Sequence, residues 1–258
     1  MATFLFDKII FGPVQSRRLG ASLGINLMPN DRKICTFDCI YCECGWTDQI
    51  SSSSGFHDRG EVQKSLEKRL QSMKDHGEPL DAITFAGNGE PTMHPRFDLI
   101  IQDTLALRNR IFPEAQIAVL SNASLIHKPK VFNALKRVNQ NILKLDSAFE
   151  TTVRHLNQPR GRFDLKRLIK NLIAFEGDLI IQTLFVRVKY KSRHIDNTSR
   201  EEVDAWLEVL QQITPRQVMI YTIARDTPVD GMERVSYEDL RRIADRVEAR
   251  GIPVQISD

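Results

Sequence analysis

The chain has 258 residues, a net charge of +3 and 41% hydrophobic residues, a composition typical of a folded globular protein rather than a disordered or fibrous one. No apolar run approaches the roughly 20 residues that span a bilayer, and the first seven residues lack a signal-peptide pattern, so we expect a cytoplasmic protein. The small positive charge permits an anionic substrate such as a nucleic acid but does not by itself favour one.

Short apolar strands alternate with amphipathic helices along the chain. The helix at 59–75 is typical, because Val62, Leu66, Leu70 and Met73 recur at the spacing of one helical face. The predicted strands lie at 22–27, 81–85, 116–120, 142–145, 179–188, 217–223 and 253–256. The predicted helices lie at 59–75, 95–111, 130–137, 165–175, 201–213 and 237–250.

This alternation predicts an α/β fold with a parallel sheet, because strands joined through helices of this length form right-handed βαβ units. The periodicity alone permits either a barrel or a doubly wound sheet. We expect a single domain over 1–258, with an N-terminal extension at 1–22, a core at 23–230 and a C-terminal helix and strand at 231–258.

All four cysteines lie within ten residues, so they cannot cross-link distant parts of a fold, and a disulfide framework is disfavoured. Cys35, Cys39 and Cys42 stand at intervals of four and three in a loop-like stretch, a grouping that indicates a soft metal centre. An iron–sulfur cube takes four cysteines, so three would leave one iron open to a substrate or cofactor.

Cys44 offers an alternative, because it would complete the four thiolates of a structural zinc site. The spacing argues against this alternative, since structural zinc pairs usually have at least two residues between them and Cys42 and Cys44 have one.

The stretch Cys35-Thr36-Phe37-Asp38-Cys39-Ile40-Tyr41-Cys42 resembles the radical S-adenosylmethionine (SAM) superfamily, in which a C-x-x-x-C-x-aromatic-C loop holds a [4Fe–4S] cluster. A second match is Gly87-Asn88-Gly89-Glu90-Pro91, where the superfamily has a glycine-rich loop that receives the amino group of SAM. The sequences at 11–20 and 37–45 are similar to those of a subgroup, the wyosine-synthase-related iron–sulfur oxidoreductases.

The resemblance implies a partial (β/α)6 barrel with a parallel sheet, a [4Fe–4S] cluster at the three cysteines, and SAM as the second cofactor. Without the resemblance, the glycine loop would be an ordinary strand-to-helix turn, and polar residues at strand ends would cap helices or face water. The residues expected to bind SAM are Tyr41, Gly87, Gly89, Glu90, Asn122 and Asp146.

Several charged residues have both a surface and a functional interpretation. Arg17 and Arg18 are either surface cations or a guanidinium near the cluster that binds a carboxylate or phosphate. His94 and His155 are weak active-site candidates, and the basic stretch at 187–193 is either solvated or binds an anionic substrate.

As an enzyme of this kind, the protein would cleave SAM reductively to a 5′-deoxyadenosyl radical that takes hydrogen from a substrate. A low-potential donor such as flavodoxin or ferredoxin would supply the electron. The sequence leaves a tRNA base, a partner protein or a small metabolite open as substrate, and the further cysteines of archaeal wyosine synthases are absent. The non-catalytic alternative is a zinc- or cluster-binding regulatory module, which would leave the loop at 87–91 without a role.

Overall fold

An eight-stranded, mostly parallel sheet curls into a half-barrel in the computed structural model, which describes residues 4–16, 18–47 and 55–257. The described strands are β1 (Ile10–Ser16), β2 (Gly20–Ile25), β3 (Ala82–Phe85), β4 (Gln116–Ser121), β5 (Gln140–Lys144), β6 (Ile180–Leu184), β7 (Val186–Tyr190), β8 (Arg193–Asp196), β9 (Gln217–Tyr221), β10 (Met232–Arg234) and β11 (Val254–Ser257). The strand order of the main sheet is β1-β2-β3-β4-β5-β6-β9-β11, and among the described residues only its β1–β2 pair is antiparallel. The predicted α/β fold with a parallel partial barrel is confirmed.

Helices cover the outer face of the sheet. Val62, Leu66, Leu70 and Met73 are buried on α1, as their spacing predicts, and the Asp58 side chain caps that helix by accepting a bond from the Gly60 amide at 2.8 Å. The helices are α1 (Arg59–Asp75), α2 (Phe97–Ile111), α3 (Pro129–Leu135), α4 (Glu150–Leu156), α5 (Leu165–Ile173), α6 (Arg200–Ile213) and α7 (Tyr237–Glu248). In the described part of the chain, none of them is long and apolar enough to cross a membrane.

The inner face of the half-barrel has its own small apolar cluster, separate from the core beneath the helices. Four residues on neighbouring strands, Ala118, Ile142, Ile180 and Met219, form this cluster, and Leu19 from the β1–β2 turn packs against it. The cluster is the floor of the half-barrel, because the residues that line the cavity described below follow two positions later on the same strands.

The strand predicted at 179–188 is wrong in its second half. The chain leaves the main sheet after Leu184, and β7 (Val186–Tyr190) pairs instead with β8 (Arg193–Asp196) and β10 (Met232–Arg234) in a small antiparallel sheet. Asn197 stabilises this break, since its side chain accepts a bond from the Val186 amide at 2.9 Å and donates to the Leu184 carbonyl at 2.7 Å.

The segment predicted as a C-terminal helix and strand, 231–258, contains the helix at Tyr237–Glu248 and β11. β11 pairs in parallel with β9 over four residues, so this segment supplies a strand of the main sheet. At the other end, the extension predicted at 1–22 contributes β1, the antiparallel edge strand.

Candidate functional site

A cavity of about 400 Å³ lies at the carboxyl ends of the parallel strands, where loops of α/β folds carry their functional residues. The structure brings most of the predicted site residues to its wall. These are Cys35, Cys39, Tyr41, Cys42, Gly87, Gly89, Glu90 and Asn122.

The cysteine loop is held between two other loops by backbone hydrogen bonds. On one side the Ile34 amide donates to Asn88 O at 2.9 Å and the Glu90 amide donates to Ile34 O at 3.0 Å. On the other side the Ile40 amide donates to Leu156 O at 2.9 Å. The position of the three sulfurs is therefore set by segments far away in sequence.

The two glycines of the 87–91 loop serve this attachment. Gly87 has a φ of 147° and Gly89 a φ of 146°, values that side chains disfavour. A Cβ on Gly89 would overlap the backbone of Ile34, and a Cβ on Gly87 would overlap the side chain of Asn26. At both positions a side chain would therefore collide with another part of the protein. The pairing of this loop with the cysteine loop depends on the absence of these side chains.

Two asparagine amides and one backbone amide point at the cysteine sulfurs. Asn122 Nδ2 lies 3.5 Å from Cys35 Sγ, the Phe37 amide donates to the same sulfur at 3.4 Å, and Asn157 Nδ2 lies 3.5 Å from Cys39 Sγ. Burial raises the pKa of Cys35 and raises that of Cys39 to about 11, so the free side chains are thiols. Three cysteines at one cavity, two of them facing amide donors, fit the thiolate ligands of an iron–sulfur cluster.

Cys42 and Cys44 interact with each other. A hydrogen bond from Cys44 lowers the pKa of the Cys42 thiol, and the same bond raises the pKa of Cys44. Cys44 Sγ also lies 3.5 Å from Gly87 O. Cys44 therefore supports Cys42 and the glycine loop.

Among the described residues, no three His, Cys, Asp or Glu side chains are grouped so as to hold one metal ion.

Lys33 is a buried cation beside the cysteine loop. Its ammonium donates to Gly45 O at 2.8 Å and lies 3.4 Å from Asp38 Oδ1. Burial alone would lower the pKa of Lys33, but electrostatic attraction to the cysteines in their thiolate form, Cys42 first among them, and to Asp38 outweighs this effect and raises it. A positive charge here favours thiolates in the loop.

Glu90 is almost fully engaged by the protein itself. Its Oε1 accepts bonds from the Thr92 amide at 3.1 Å, the Thr92 hydroxyl at 2.5 Å and the Ser121 hydroxyl at 2.8 Å. Among the described residues its Oε2 accepts only the Asn122 amide, at 2.7 Å, and it can accept one more donor. Burial raises the pKa of Glu90, while these hydrogen bonds oppose the shift.

Asp146 is buried and does not line the cavity, whereas its neighbours Tyr41 and Lys144 do. The Tyr41 hydroxyl and Asn157 Nδ2 both donate to its Oδ2, and the Leu184 amide donates to Oδ1 at 2.9 Å. Lys144, which does line the cavity, lies 3.6 Å from the same carboxylate. The Tyr41 hydroxyl is thereby fixed, and burial raises its pKa.

The residues that sequence reasoning missed are buried or half-buried polar groups, namely Lys33, Lys144, Asn157 and Tyr221. None of the four belongs to a short motif, and the fold brings each of them to the site.

The remaining candidates separate in space. Arg18 lines the cavity, whereas Arg17 lies outside the described residues. His94 is away from the cavity and donates from Nε2 to His57 O at 2.8 Å, and His155 lies in a second, basic cavity with Arg193.

Comparisons with known proteins agree with this geometry. A family model described as the radical SAM superfamily matches residues 32–175, a range that contains both the cysteine motif and the glycine loop. A UPF0026 protein of Methanocaldococcus jannaschii is 32% identical over 223 residues, which cover 84% of this chain and 64% of the relative. A Brachyspira hyodysenteriae protein named GTPase Obg is 27% identical over 250 residues, 95% of this chain and 34% of the relative. The chain thus spans just under two thirds of the length of the Methanocaldococcus relative and about a third of the length of the Brachyspira relative.

Two solved structures have a similar fold. A radical SAM methyltransferase from Sphaerobacter thermophilus superposes with a TM-score of 0.67 at 16% identity, covering 92% of this chain and 65% of the other. SuiB of Streptococcus suis bound to S-adenosylmethionine gives a TM-score of 0.63 at 16% identity, covering 91% and 50%. At these identities the similarity shows the fold alone.

Proposed function

The chain belongs to the radical SAM superfamily, and from that premise we propose that it is an enzyme that binds a [4Fe–4S] cluster at Cys35, Cys39 and Cys42. The observation that carries the proposal is that these three side chains line the same cavity as the loop at 87–90. The bound cluster would supply one electron to SAM, whose carbon–sulfur bond breaks to give methionine and a 5′-deoxyadenosyl radical that abstracts hydrogen from the substrate.

The protein's own residues bind and orient in this proposal. Asn122 joins the two halves of the site, because its amide donates to Glu90 and its side chain donates to Thr36 Oγ1 at 2.8 Å. The unoccupied acceptor position on Glu90 Oε2 suits one N–H of the SAM ammonium group. Tyr41 contributes its backbone, since its hydroxyl is committed to Asp146.

The reductant we propose is a low-potential protein such as a flavodoxin or ferredoxin. The substrate, whether a tRNA base, a partner protein or a small metabolite, and membership of the wyosine-synthase-related subgroup stay predictions.

The test is to purify the protein without oxygen, reconstitute it with iron and sulfide, reduce it with dithionite and measure 5′-deoxyadenosine formed from SAM. We expect formation in the wild type and in Cys44→Ala, and none in Cys39→Ala, because Cys39 belongs to the proposed ligand set and Cys44 does not. Iron content should fall in Cys39→Ala and stay near the wild-type value in Cys44→Ala.

A different result would favour the regulatory module. Three results together would contradict the proposal and indicate a four-thiolate zinc protein. These are stoichiometric zinc in anaerobically isolated protein, equal metal loss in both cysteine variants and no SAM cleavage.

A further inference from the structure

The inside of the half-barrel changes from apolar to polar along the strands. Two positions beyond the floor residues, the side chains on β4, β5, β6 and β9 all line the cavity. Lys144 and Gln182 are register partners on β5 and β6. These four positions, Leu120, Lys144, Gln182 and Tyr221, form a layer that is deeper in the barrel than the strand-end loops that carry Asn122 and Glu90.

Arg18 reaches this layer from the β1–β2 turn. Its neighbour Leu19 packs against the floor, and the Arg18 guanidinium lies 5.1 Å from the centre of the Tyr221 ring. Its Nη1 is buried and has no hydrogen-bond partner among the described residues. A buried guanidinium nitrogen without an acceptor is costly, so this atom points to a ligand that supplies one.

The ion pairs of the cavity also point to Arg18. Of the four cations that line the cavity among the described residues, three have a carboxylate nearby: Lys33 with Asp38 at 3.4 Å, Lys144 with Asp146 at 3.6 Å and Arg225 with Glu43 at 2.7 Å. Arg18 has no carboxylate within ion-pair distance in the part of the chain that the structure describes. An anion entering the cavity therefore meets uncompensated positive charge at Arg18.

We propose that Arg18 and Lys144 form a binding site for an anionic group of the substrate, a carboxylate or a phosphate, in the layer below the strand-end loops. The fork of the Arg18 guanidinium matches the two oxygens that such groups present, and the Lys144 ammonium, 3.3 Å from the Tyr221 hydroxyl, adds a second donor. The proposal rests on the proposed function, since it places the substrate beside SAM in one cavity.

The test measures anion binding by calorimetry on cluster-reconstituted protein with SAM present, using inorganic phosphate and acetate as separate probes. We expect one or both anions to bind the wild type. The anion that binds more tightly indicates whether the substrate carries a phosphate or a carboxylate. Arg18→Gln should weaken that binding about tenfold or more, because hydrogen bonds to charged groups are the stronger ones. Arg18→Lys, which keeps the charge but loses the fork, should fall between the two.

Arg225→Gln is the matched control, because it removes a guanidinium of the same cavity that Glu43 already satisfies, and anion binding should not change. If Arg18→Gln does not fold, the comparison of Arg18→Lys with the wild type decides, and equal affinities overturn the proposal. No anion binding to the wild type, or unchanged binding in Arg18→Gln, also overturns it.

The SAM carboxylate is the rival occupant. If Arg18→Gln weakens binding of SAM but not of decarboxylated SAM, Arg18 binds the cofactor and the proposal is wrong. If the wild type fails to cleave SAM yet binds anions through Arg18, the proposed function fails and the anion site stands.

Discussion

Gly89 and Gly77 both have a positive φ, but only Gly89 lies against another segment of the chain. A Cβ at Gly89 would overlap the carbonyl oxygen of Ile34, whereas nothing lies within 4 Å of that position at Gly77. We expect Gly89→Ala to disrupt the pairing that positions the cysteine loop and to lower the iron content after reconstitution. Gly77→Ala should cost only the backbone strain of about 1–2 kcal/mol and leave the iron content unchanged. Equal iron contents in the two variants would contradict this account of the loop.

Asn157 is the second residue whose effect can be measured without any metal. Its side-chain amide donates to the Tyr41 hydroxyl at 2.7 Å and to Asp146 Oδ2 at 2.7 Å, and the residue is buried. In iron-free protein, Asn157→Ala should lower the free energy of unfolding in urea by about 1–3 kcal/mol, because it leaves buried polar atoms without a donor. The exposed Asn133 is the control, and a similar loss in Asn133→Ala would show that the network is not responsible.

At the scale of single residues, the site was predictable where a short motif defines it and not where distant segments meet. Cys35, Cys39 and Cys42 stand close together in the sequence, so their meeting at one cavity could be predicted from their spacing. Asn157 approaches Cys39 across 118 positions of sequence, so its role follows from the fold and from no local pattern.

Among the elements, long helices with complete local signals were predictable. α1 occupies the predicted range because periodicity and an N-terminal cap agree. α4 was missed because only Val153 and Leu156 of its seven residues are buried, and a single apolar pair gives too little periodicity to detect. The break between β6 and β7 was missed because an uninterrupted apolar run crosses it, and the residue that stabilises the break, Asn197, lies 13 positions after Leu184.

His94 links the turn after the glycine loop to the start of α1, and this link should depend on pH. Burial lowers the pKa of His94 below its ordinary value of 6.5. Its Nε2 donates to His57 O, and its Nδ1 accepts a bond from the Arg96 amide at 3.1 Å, an arrangement that requires the neutral ring. As the pH falls, His94 binds a proton at a higher pH in the unfolded chain than in the folded one. The contribution of the neutral His94 ring to stability is therefore complete above pH 6.5 and is lost as the pH falls through the folded-state pKa.

The measurement is the free energy of unfolding between pH 7.5 and 5 for the wild type, His94→Gln and His127→Gln. The wild type should lose stability more steeply than His94→Gln below pH 6.5, by at most about 1.4 kcal/mol per pH unit for one proton. His127 is exposed, so His127→Gln should keep the wild-type slope. Parallel profiles for the wild type and His94→Gln would exclude His94 as the source.

For the whole molecule, the alternation of strands and helices was enough to predict a parallel α/β sheet, because βαβ connections have a fixed hand. It could not predict how the ends of the chain complete that sheet. The N-terminal hairpin places Leu19 on the floor of the half-barrel and Arg18 in the cavity, although their local sequence has no long period. These contacts depend on the curvature of the sheet, which no periodicity encodes.

The C-terminal segment gives a whole-molecule test of whether the chain folds as one unit. Removal of 231–258 would take away β11, one of the two strands that pair with β9, whose Val218 and Ile220 are fully buried. It would also remove the buried face of α7, formed by Leu240, Ile243 and Val247. Because an open apolar strand edge promotes association between chains, we expect a chain ending at residue 230 to be insoluble or aggregated, compared with the full-length chain prepared in parallel. A soluble, monomeric truncated chain with a cooperative unfolding transition would instead show that the segment is an appendage, and that the first six parallel strands are a complete folding unit.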